Sequence, residues 1–539
     1  MKEFLAKHTK CLLVQPKFST LSFWNYEEVC KILGAKYPNP PLGLMTVAAL
    51  LPQQWEFKLV DENVEPLLDE HLEWADITCT GGMLAQQLGL LSVIERARHS
   101  GCPVVVGGPD PTSQPHVYQS ADYLVLGEGE VTIPMFIQDL ERGCRSGEYR
   151  STEKADMTKS VVPRFDLIRF RDYVSVGIQY SRGCPFNCEF CDIIELYGRK
   201  QRAKTPEHIV REFQSLHSLG FRGQIFLVDD NFVGNKREVK KFLRVIREWS
   251  EANRFPFFFT TQTCLDLADD DEILQMMRDV DFKFVFIGIE SPEDTILISA
   301  QKPQNANKSI PEAIRKIYSH GMTVNAGFIL GFDNESDRTA EEMIRCIQDS
   351  GISIAMVGLL SASPNTQLGR RLKREGRLFE KAAIQTDAHI GIDQMTGGLN
   401  FIPTRPRSDV LKDFVQVLEH VYDPRNYFIR VTYTGLTIIP ADKYKPDIVE
   451  RVKSLKPLLK VCYTLGCNKT TGWLYWKMLL AVLFKNPRGI EAATIMATMY
   501  IHFQKQSKFI IDLTRKKIDD IERYGEEHYV ASLLEPGPS

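Results

Sequence analysis

Short runs of aliphatic and β-branched residues recur along the first 150 positions, and most are followed by apolar residues at helical spacing. Residues 11–16, 57–61, 77–82, 104–109 and 123–129 read as strands. Helical patterns fall between them, at 40–51 and 88–98 for example. Alternating strand and helix predicts a doubly wound, Rossmann-like parallel sheet over residues 1–150. Residues 151–170 are polar, hold Pro163 and read as a linker. A second alternation then begins. Residues 174–180, 224–229, 257–263, 284–290, 324–330 and 355–360 each read as a strand with a helical stretch behind it. Six such units over 171–380 predict a partial (β/α)6 TIM-type barrel, with its site at the carboxyl ends of the strands.

Beyond 380 the pattern becomes helical, so 381–539 is expected to be a helical domain that covers the barrel and shapes substrate choice. It opens with a loop at 386–400, where Asp387, His389 and Asp393 stand among Gly391, Gly397 and Gly398 and read as solvated loop polar groups. The apolar runs 473–484 and 490–503 precede Lys505, Lys508, Arg515, Lys516 and Lys517. Each run is too short to span a bilayer. Such a pair either packs on the barrel, the commoner arrangement, or lies in a membrane interface. The whole is an α/β chain of three parts.

Composition narrows the class. Of 539 residues, 43% are hydrophobic and 25% charged, as in a globular protein. A formal net charge of -3 gives no electrostatic case for nucleic acid. No secretory apolar segment is visible near the start, so a reducing cytoplasm is expected, with peripheral contact at the inner membrane face if the tail helices touch lipid.

One stretch carries the chemistry. Cys184, Cys188 and Cys191 stand at C-x3-C-x2-C directly after the first barrel strand. Three thiolates on one loop can hold three irons of a 4Fe–4S cluster and leave the fourth iron open to a small molecule. Structural zinc needs a further pair of Cys or His ligands, and His208, His217 and Cys264 are scattered singly. Phe186 and Phe190 interleave the cysteines and would exclude water, or serve as ordinary core. Tyr197–Arg199 follow and would order the loop.

Other barrel strands also end in polar or glycine-rich groups. Asp229, Asp230 and Asn231 follow the second strand and suit either a ligand ammonium or a helix N-cap. Glu290 ends the fourth strand, and Gly327, Ile329 and Gly331 mark the fifth. In the first sheet the strands end at Gly81-Gly82, Gly107-Gly108 and Gly127. Glycines there admit a flat ligand outside the strand ends, or simply make tight turns. The spacing is not G-x-G-x-x-G, so a dinucleotide is poorly supported.

The loop C-x3-C-x2-C after a first barrel strand resembles the signature of the radical S-adenosylmethionine (SAM) superfamily. The segments PPLGL (40–44), LVDEN (59–63), VVVGGPDPTS (104–113) and VLGEGE (125–130) resemble the cobalamin-binding domain that precedes it in one large subgroup. The D-x-H-x-x-G signature of classical cobalamin modules is absent, so no protein histidine is expected on cobalt. Residues 191–199 (CDIIELYGR) and 228–232 (VDDNF) resemble a branch of class B cobalamin-dependent enzymes that includes hopanoid methylases and tetraether ring synthases.

The resemblance implies three cofactors: a 4Fe–4S cluster on Cys184, Cys188 and Cys191, SAM, and methylcobalamin. It implies SAM contacts at Asp229, Asp230, Asn231, Glu290, Gly327, Ile329 and Gly331. It implies cobalamin contacts at Pro41, Gly43, Asp61, Gly81, Gly82, Gly107, Gly108, Pro109, Asp110, Gly127 and Glu128. An external one-electron reductant, flavodoxin- or ferredoxin-like, would drive SAM cleavage to a deoxyadenosyl radical. That radical would take hydrogen from an unactivated carbon of a small-molecule or lipid-like substrate, and methylcobalamin would supply the methyl. The rivals are a non-methylating radical outcome (ring formation, coupling or oxidation) and a non-catalytic cofactor sensor, which would need no SAM pocket. Methylthio transfer to tRNA would need a basic RNA-binding appendage, and none is visible.

Overall fold

The computed structural model describes residues 9–18, 22–379, 398–446 and 448–534. Asp387, His389, Asp393, Gly391 and Gly397 lie outside the described residues, as does the terminal segment 535–539.

The first sheet has six parallel strands: β1 (Lys10–Gln15), β2 (Glu56–Asp61), β3 (Ile77–Gly81), β4 (Val104–Gly107), β5 (Tyr123–Leu126) and β6 (Gly147–Arg150), in the order β2-β1-β3-β4-β5-β6. Cys11 to Val14 in β1 are fully buried because helices cover both faces, which is why an unbroken apolar run marks this strand. Alternate residues feed two cores. Cys11 and Leu13 join Ile77, Val105 and Phe136, while Leu12 and Val14 join Val60, Ile94 and Val106. β6 (GEYR) is a polar edge strand in which only Tyr149 is buried, so it leaves no hydrophobic signal.

The second sheet is the partial barrel: β7 (Ser175–Ile178), then, past a two-strand clip of β8 (Ser181–Arg182) and β9 (Arg202–Ala203), β10 (Gly223–Leu227), β11 (Phe257–Thr263), β12 (Phe282–Glu290), β13 (Thr323–Leu330) and β14 (Ile354–Leu359). Its strands pair in parallel in the order β7-β10-β11-β12-β13-β14. The expected first strand, 174–180, is shortened to Ser175–Ile178, and the chain leaves the sheet at 179–180 to begin the clip.

Two segments pack more closely than their composition foretells. Residues 151–170 form short 3-10 turns with Ala155, Met157 and Phe165 buried, and Arg164 N–H donates to Met45 O at 3.1 Å, so this connector is part of the body. Residues 22–33 leave the first sheet for the barrel and tail. Phe23 meets Phe286 and Phe503 at ring separations of 6.1 and 5.0 Å, and His502 Nε2 lies 3.1 Å from Ser22 O.

The tail comprises the helices Arg407–Val421, Pro424–Thr437, Ile448–Gly466, Gly472–Lys485, Ile490–Tyr524 and Glu526–Leu534. Arg430 pins it to the barrel: fully buried, it donates to Ile352 O at 2.8 Å, Gln348 Oε1 at 3.0 Å and Val421 O at 2.5 Å. The two apolar runs behave differently. The 490–503 run buries Ala493, Met496, Tyr500 and Phe503 against the core, whereas the Gly472–Lys485 helix leaves Trp473, Trp476, Leu480, Leu483 and Phe484 exposed. Among the described residues no helix is long and apolar enough to cross a membrane.

Candidate functional site

The site lies where strand ends of the first sheet meet the barrel. Glu128 and Glu130, just after β5, pair with Arg182 and Arg202 of the clip at 2.8–3.0 Å. Asn365, after β14, donates to Ser113 O at 3.2 Å in the helix after β4. Asp61, at the end of β2, accepts from Tyr173 Oη at 2.9 Å beside β7.

The cysteine loop is closed at its base by β8 and β9. Gly183 has φ +88°, and a Cβ there would stand 2.8 Å from Lys200 O and 2.9 Å from Gly198 O, so only glycine fits this turn. Cys184 N–H donates to Gly198 O at 3.3 Å, which gives Tyr197–Gly198 the ordering role expected of it. The three cysteines are free thiols; Cys188 is buried and the others are half-buried. Desolvation pushes all three thiols up, Cys191 furthest. Two side-chain amides offset that cost from outside the loop: Asn231 Nδ2 lies 4.0 Å from Cys184 Sγ, and Gln304 Nε2 lies 3.6 Å from Cys188 Sγ.

The back of the loop is held at Glu189. Its N–H donates to Ala300 O at 3.1 Å, its carbonyl accepts from Leu368 N–H at 2.7 Å, and its carboxylate takes Arg371 in two bonds of 2.9 and 3.1 Å. Glu189, Gln304 and Arg371 carry no sequence signal, because their partners come from three different β/α units. Phe190 stacks edge-on against Phe332 at 5.8 Å.

After β10, the adjacent Asp229, Asp230 and Asn231 have three different surroundings. Asp229 accepts from Tyr180 N–H at 2.8 Å, Ser181 N–H at 2.9 Å and Ser181 Oγ at 2.5 Å, so both of its oxygens shape the loop's entry. Asp230 accepts from Gly183 N–H at 2.7 Å. Burial pushes Asp229 up to about 7 and Asp230 up to about 6. Asn231 Oδ1 is buried without a partner. None of the three side chains caps a helix; Asn235 does so, accepting from Glu238 N–H.

Glu290 sits at a β-bulge with φ +68°, a conformation uncommon for a residue with a Cβ. Its carboxylate is not left free for a ligand. Lys302 Nζ lies 2.5 Å from it, and both residues are buried. Desolvation opposes the lysine's charge, but Glu290 and the neighbouring Cys264 and Cys188 outweigh it and hold the ammonium above its ordinary value. Lys302 escapes the sequence reading because it lies in a short turn before Pro303. Just past β13, Gly331 N–H already donates to Glu335 Oε1 at 2.6 Å, and its open face is filled by Leu399. A Cβ on Gly327 would come within 3.2 Å of the Phe286 ring, and Ile329 is half-buried.

At the first sheet the glycines divide. A Cβ on Gly81 would meet Gly107 O at 2.6 Å, one on Gly107 would meet Val125 O at 2.7 Å, and one on Gly108 would meet Gly82 N at 3.0 Å. The sheet itself demands these three, and Gly82 is crowded by Gln86. Gly43 and Gly127 face open ground, with nothing nearer than Ser151 O at 3.8 Å from the latter. Pro41 is buried at the head of a helix, and Pro109 opens the Pro109–Ser113 helix. Asp110 is enclosed by Gln87, Gln114 and Tyr118, so its carboxylate, like those of Asp61 and Glu128, is engaged within the protein. In the turn after β3, Met83 and Leu84 are exposed, and past the Pro109–Ser113 helix Gln114 Oε1 is buried without a partner.

The radical SAM superfamily profile matches residues 178–347, and a domain of unknown function (DUF4070) matches 366–515. An uncharacterised methyltransferase of Synechocystis sp. is 38% identical, over 98% of this chain and 97% of that protein. The hopanoid C-2 methylase of Rhodopseudomonas palustris is 32% identical, over 83% of this chain and 84% of that one. Among solved structures, the cobalamin-dependent SAM radical enzyme OxsB, with aqua-cobalamin and SAM bound, superposes with a TM-score of 0.59 at 15% identity, covering 98% of this chain and 83% of that one.

Proposed function

The chain belongs to the radical SAM superfamily, in one family with the hopanoid C-2 methylase, and from that premise we propose that it methylates an unactivated carbon of a lipid-like substrate, using a 4Fe–4S cluster, SAM and cobalamin. The observation that carries the reading is the cysteine loop: three free thiols on one turn, two of them approached by amide donors, with no fourth cysteine in the loop.

The donor set fits a cluster with one open iron. Cys184, Cys188 and Cys191 would hold three irons, and Asn231 and Gln304 would donate to the sulfurs, easing the negative charge of a reduced cluster. Asp230 and the unpartnered Asn231 Oδ1 are the acceptors for the SAM ammonium, while Asp229 keeps the loop's entry in shape. Lys302, neutralised by Glu290, sets the charge beside Cys188. Phe190 and Phe332 exclude water. For cobalamin, Gly43 and Gly127 leave room, Met83 and Leu84 offer apolar contact, and Gln114 Oε1 is an acceptor for an amide arm. When bound, the three groups supply one-electron cleavage of SAM and a transferable methyl; the chain supplies position, dryness and charge.

A flavodoxin- or ferredoxin-like reductant would feed the electron. The lipid-like substrate is supported by the hopanoid C-2 methylase relative and by the exposed apolar tail helix. Anaerobic reconstitution with iron, sulfide, cobalamin, SAM and reductant, with host lipid extract as substrate, tests the reading by mass spectrometry. A lipid heavier by one methylene unit is expected. A product of unchanged carbon count, or cofactor bands without turnover, would overturn methyl transfer.

A further inference from the structure

The helices Ile448–Gly466 and Gly472–Lys485 form a hairpin at the edge of the tail. Trp476 Nε1 donates to Gly466 O at 3.1 Å across its turn, and Val461, Leu465, Tyr475, Met478 and Val482 are buried on its inner side. The outer side is apolar too. Leu459 is 70% exposed, Tyr463 74%, Trp473 76% and Phe484 81%, with Leu480 and Leu483 about half exposed. Trp473, Trp476, Leu480 and Phe484 recur at steps of three and four, which makes one continuous stripe on the helix. Single exposed apolar residues need no explanation, but a contiguous stripe of large ones does.

The charge around the stripe says what covers it. Residues 455–489 contain five lysines and one arginine and no aspartate or glutamate, in a chain whose formal net charge is -3. None of these six cations forms an ion pair with a described residue. Further along the tail, Lys505 pairs with Glu28 and Arg515 with Glu419. Protein–protein interfaces are depleted in lysine, whereas helices lying in the plane of a bilayer combine tryptophan and large aliphatics with unpaired lysines. Anionic headgroups attract such lysines over the span of a Debye length. The helices are too short in apolar reach to cross, so the hairpin would lie flat.

We propose that the outer face of this hairpin docks on an anionic lipid bilayer, sinking Trp473 and Phe484 below the headgroups while the lysines stay among them. The inference deepens the lipid-substrate reading and rests on it for its purpose: an enzyme whose substrate is dissolved in a membrane gains by standing on that membrane.

The test is flotation of the full-length protein with vesicles of phosphatidylcholine alone, or of phosphatidylcholine with a third phosphatidylglycerol, at low and high salt. Flotation with the anionic vesicles only, weakened by salt, and a blue shift of tryptophan emission are expected. Trp473→Ser with Phe484→Ser should lower vesicle affinity by about tenfold or more. Lys477→Glu with Lys485→Glu should remove the preference for anionic lipid. Both variants should keep the wild-type melting temperature and SAM cleavage. Failure to float on anionic vesicles, or equal flotation of the serine variant, would overturn the proposal. So would a dimer in solution that the serine variant splits into monomers while vesicles go unbound. A protein that floats yet methylates no lipid leaves the docking face standing and sinks the substrate assignment, so the two failures are distinct.

Discussion

The Glu128 carboxylate at the end of β5 meets the Arg182 guanidinium two residues ahead of the first cysteine, Oε2 to Nη1 at 3.0 Å. The same carboxylate takes Arg202 in two bonds of 2.8 and 2.9 Å, and Glu130 takes the other face of Arg182. Both arms of the clip that closes the cysteine loop are therefore anchored in the first sheet. Removing one partner of a buried pair leaves the other charge uncompensated, at a cost of about 3–5 kcal/mol. Glu128→Ala should destabilise by that order, and Glu128→Ala with Arg182→Met should cost less than the sum of the two. Chemical denaturation of the four proteins in the cycle measures the coupling, and strict additivity would show that the pair is not formed.

Cys184→Ala should leave a folded protein that reconstitutes little iron or sulfide and does not cleave SAM, because two thiolates remain where three are needed. Cys346→Ala, a buried cysteine on the helix Thr339–Ser350, should retain both properties. Iron and sulfide content, with deoxyadenosine release, are the readouts. A Cys184 variant that still cleaves SAM refutes the cluster assignment.

These two predictions differ in how far the sequence foretells them. The cysteine spacing is local and is read directly from the sequence, as are the barrel strands, whose expected limits all lie within two residues of the observed ones. The clamp on the loop is not local. Glu128 is a strand-end carboxylate in a glycine-rich turn, and nothing in its neighbourhood says that its partners stand 54 and 74 positions away. Glu290 shows the same limit from the other side: its place at a strand end was legible, but its partner Lys302, which decides whether it is free for a ligand, lies beyond a helix. The glycines after β3 and β4 looked like a ligand cradle, yet adjacent strand ends already require them. Sequence patterns report burial and turns; they do not report which charges meet.

Glu335 gives a pH dependence with a definite sign. Its carboxylate accepts from Gly331 N–H at 2.6 Å and Phe332 N–H at 3.1 Å, but desolvation wins over these bonds and over Arg405, whose Nη1 stands 3.9 Å from Oε2, and its pKa is pushed up to about 7. The folded protein thus holds a proton that the unfolded chain releases near its ordinary value of 4.5. Stability from this group is full below that value and is lost as pH rises through about 7. The loss is at most about 3 kcal/mol. Glu335→Gln keeps an acceptor for both amides and cannot ionise. Melting temperatures at pH 5 and pH 8 should therefore differ less in Glu335→Gln than in the wild type, and an identical difference would show that Glu335 does not titrate in this window.

Gly288 stands under the Glu290–Lys302 pair, and its missing side chain is what lets the pair close. A Cβ there would lie 2.5 Å from Glu290 Oε1 and 3.0 Å from Lys302 Nζ. Both are side-chain ends, which ordinarily move aside at little cost, but here both residues are buried and Glu290 is fixed by its bulge. Gly288→Ala should therefore force the ions apart and destabilise by about 1–3 kcal/mol. Lys302→Met should cost more, because it leaves Glu290 buried and alone, and Glu290→Gln added to it should restore part of the loss. A second effect separates this from simple packing. The ammonium stands beside Cys188 and lowers its thiol pKa, and the same field favours the extra electron of a reduced cluster. Lys302→Met should shift the cluster's midpoint potential to more negative values, whereas a neutral packing change such as Cys346→Ala should not move it. Redox titration of the reconstituted variants followed by electron paramagnetic resonance decides the matter. A Lys302→Met protein with wild-type potential would mean that the lysine only fills space.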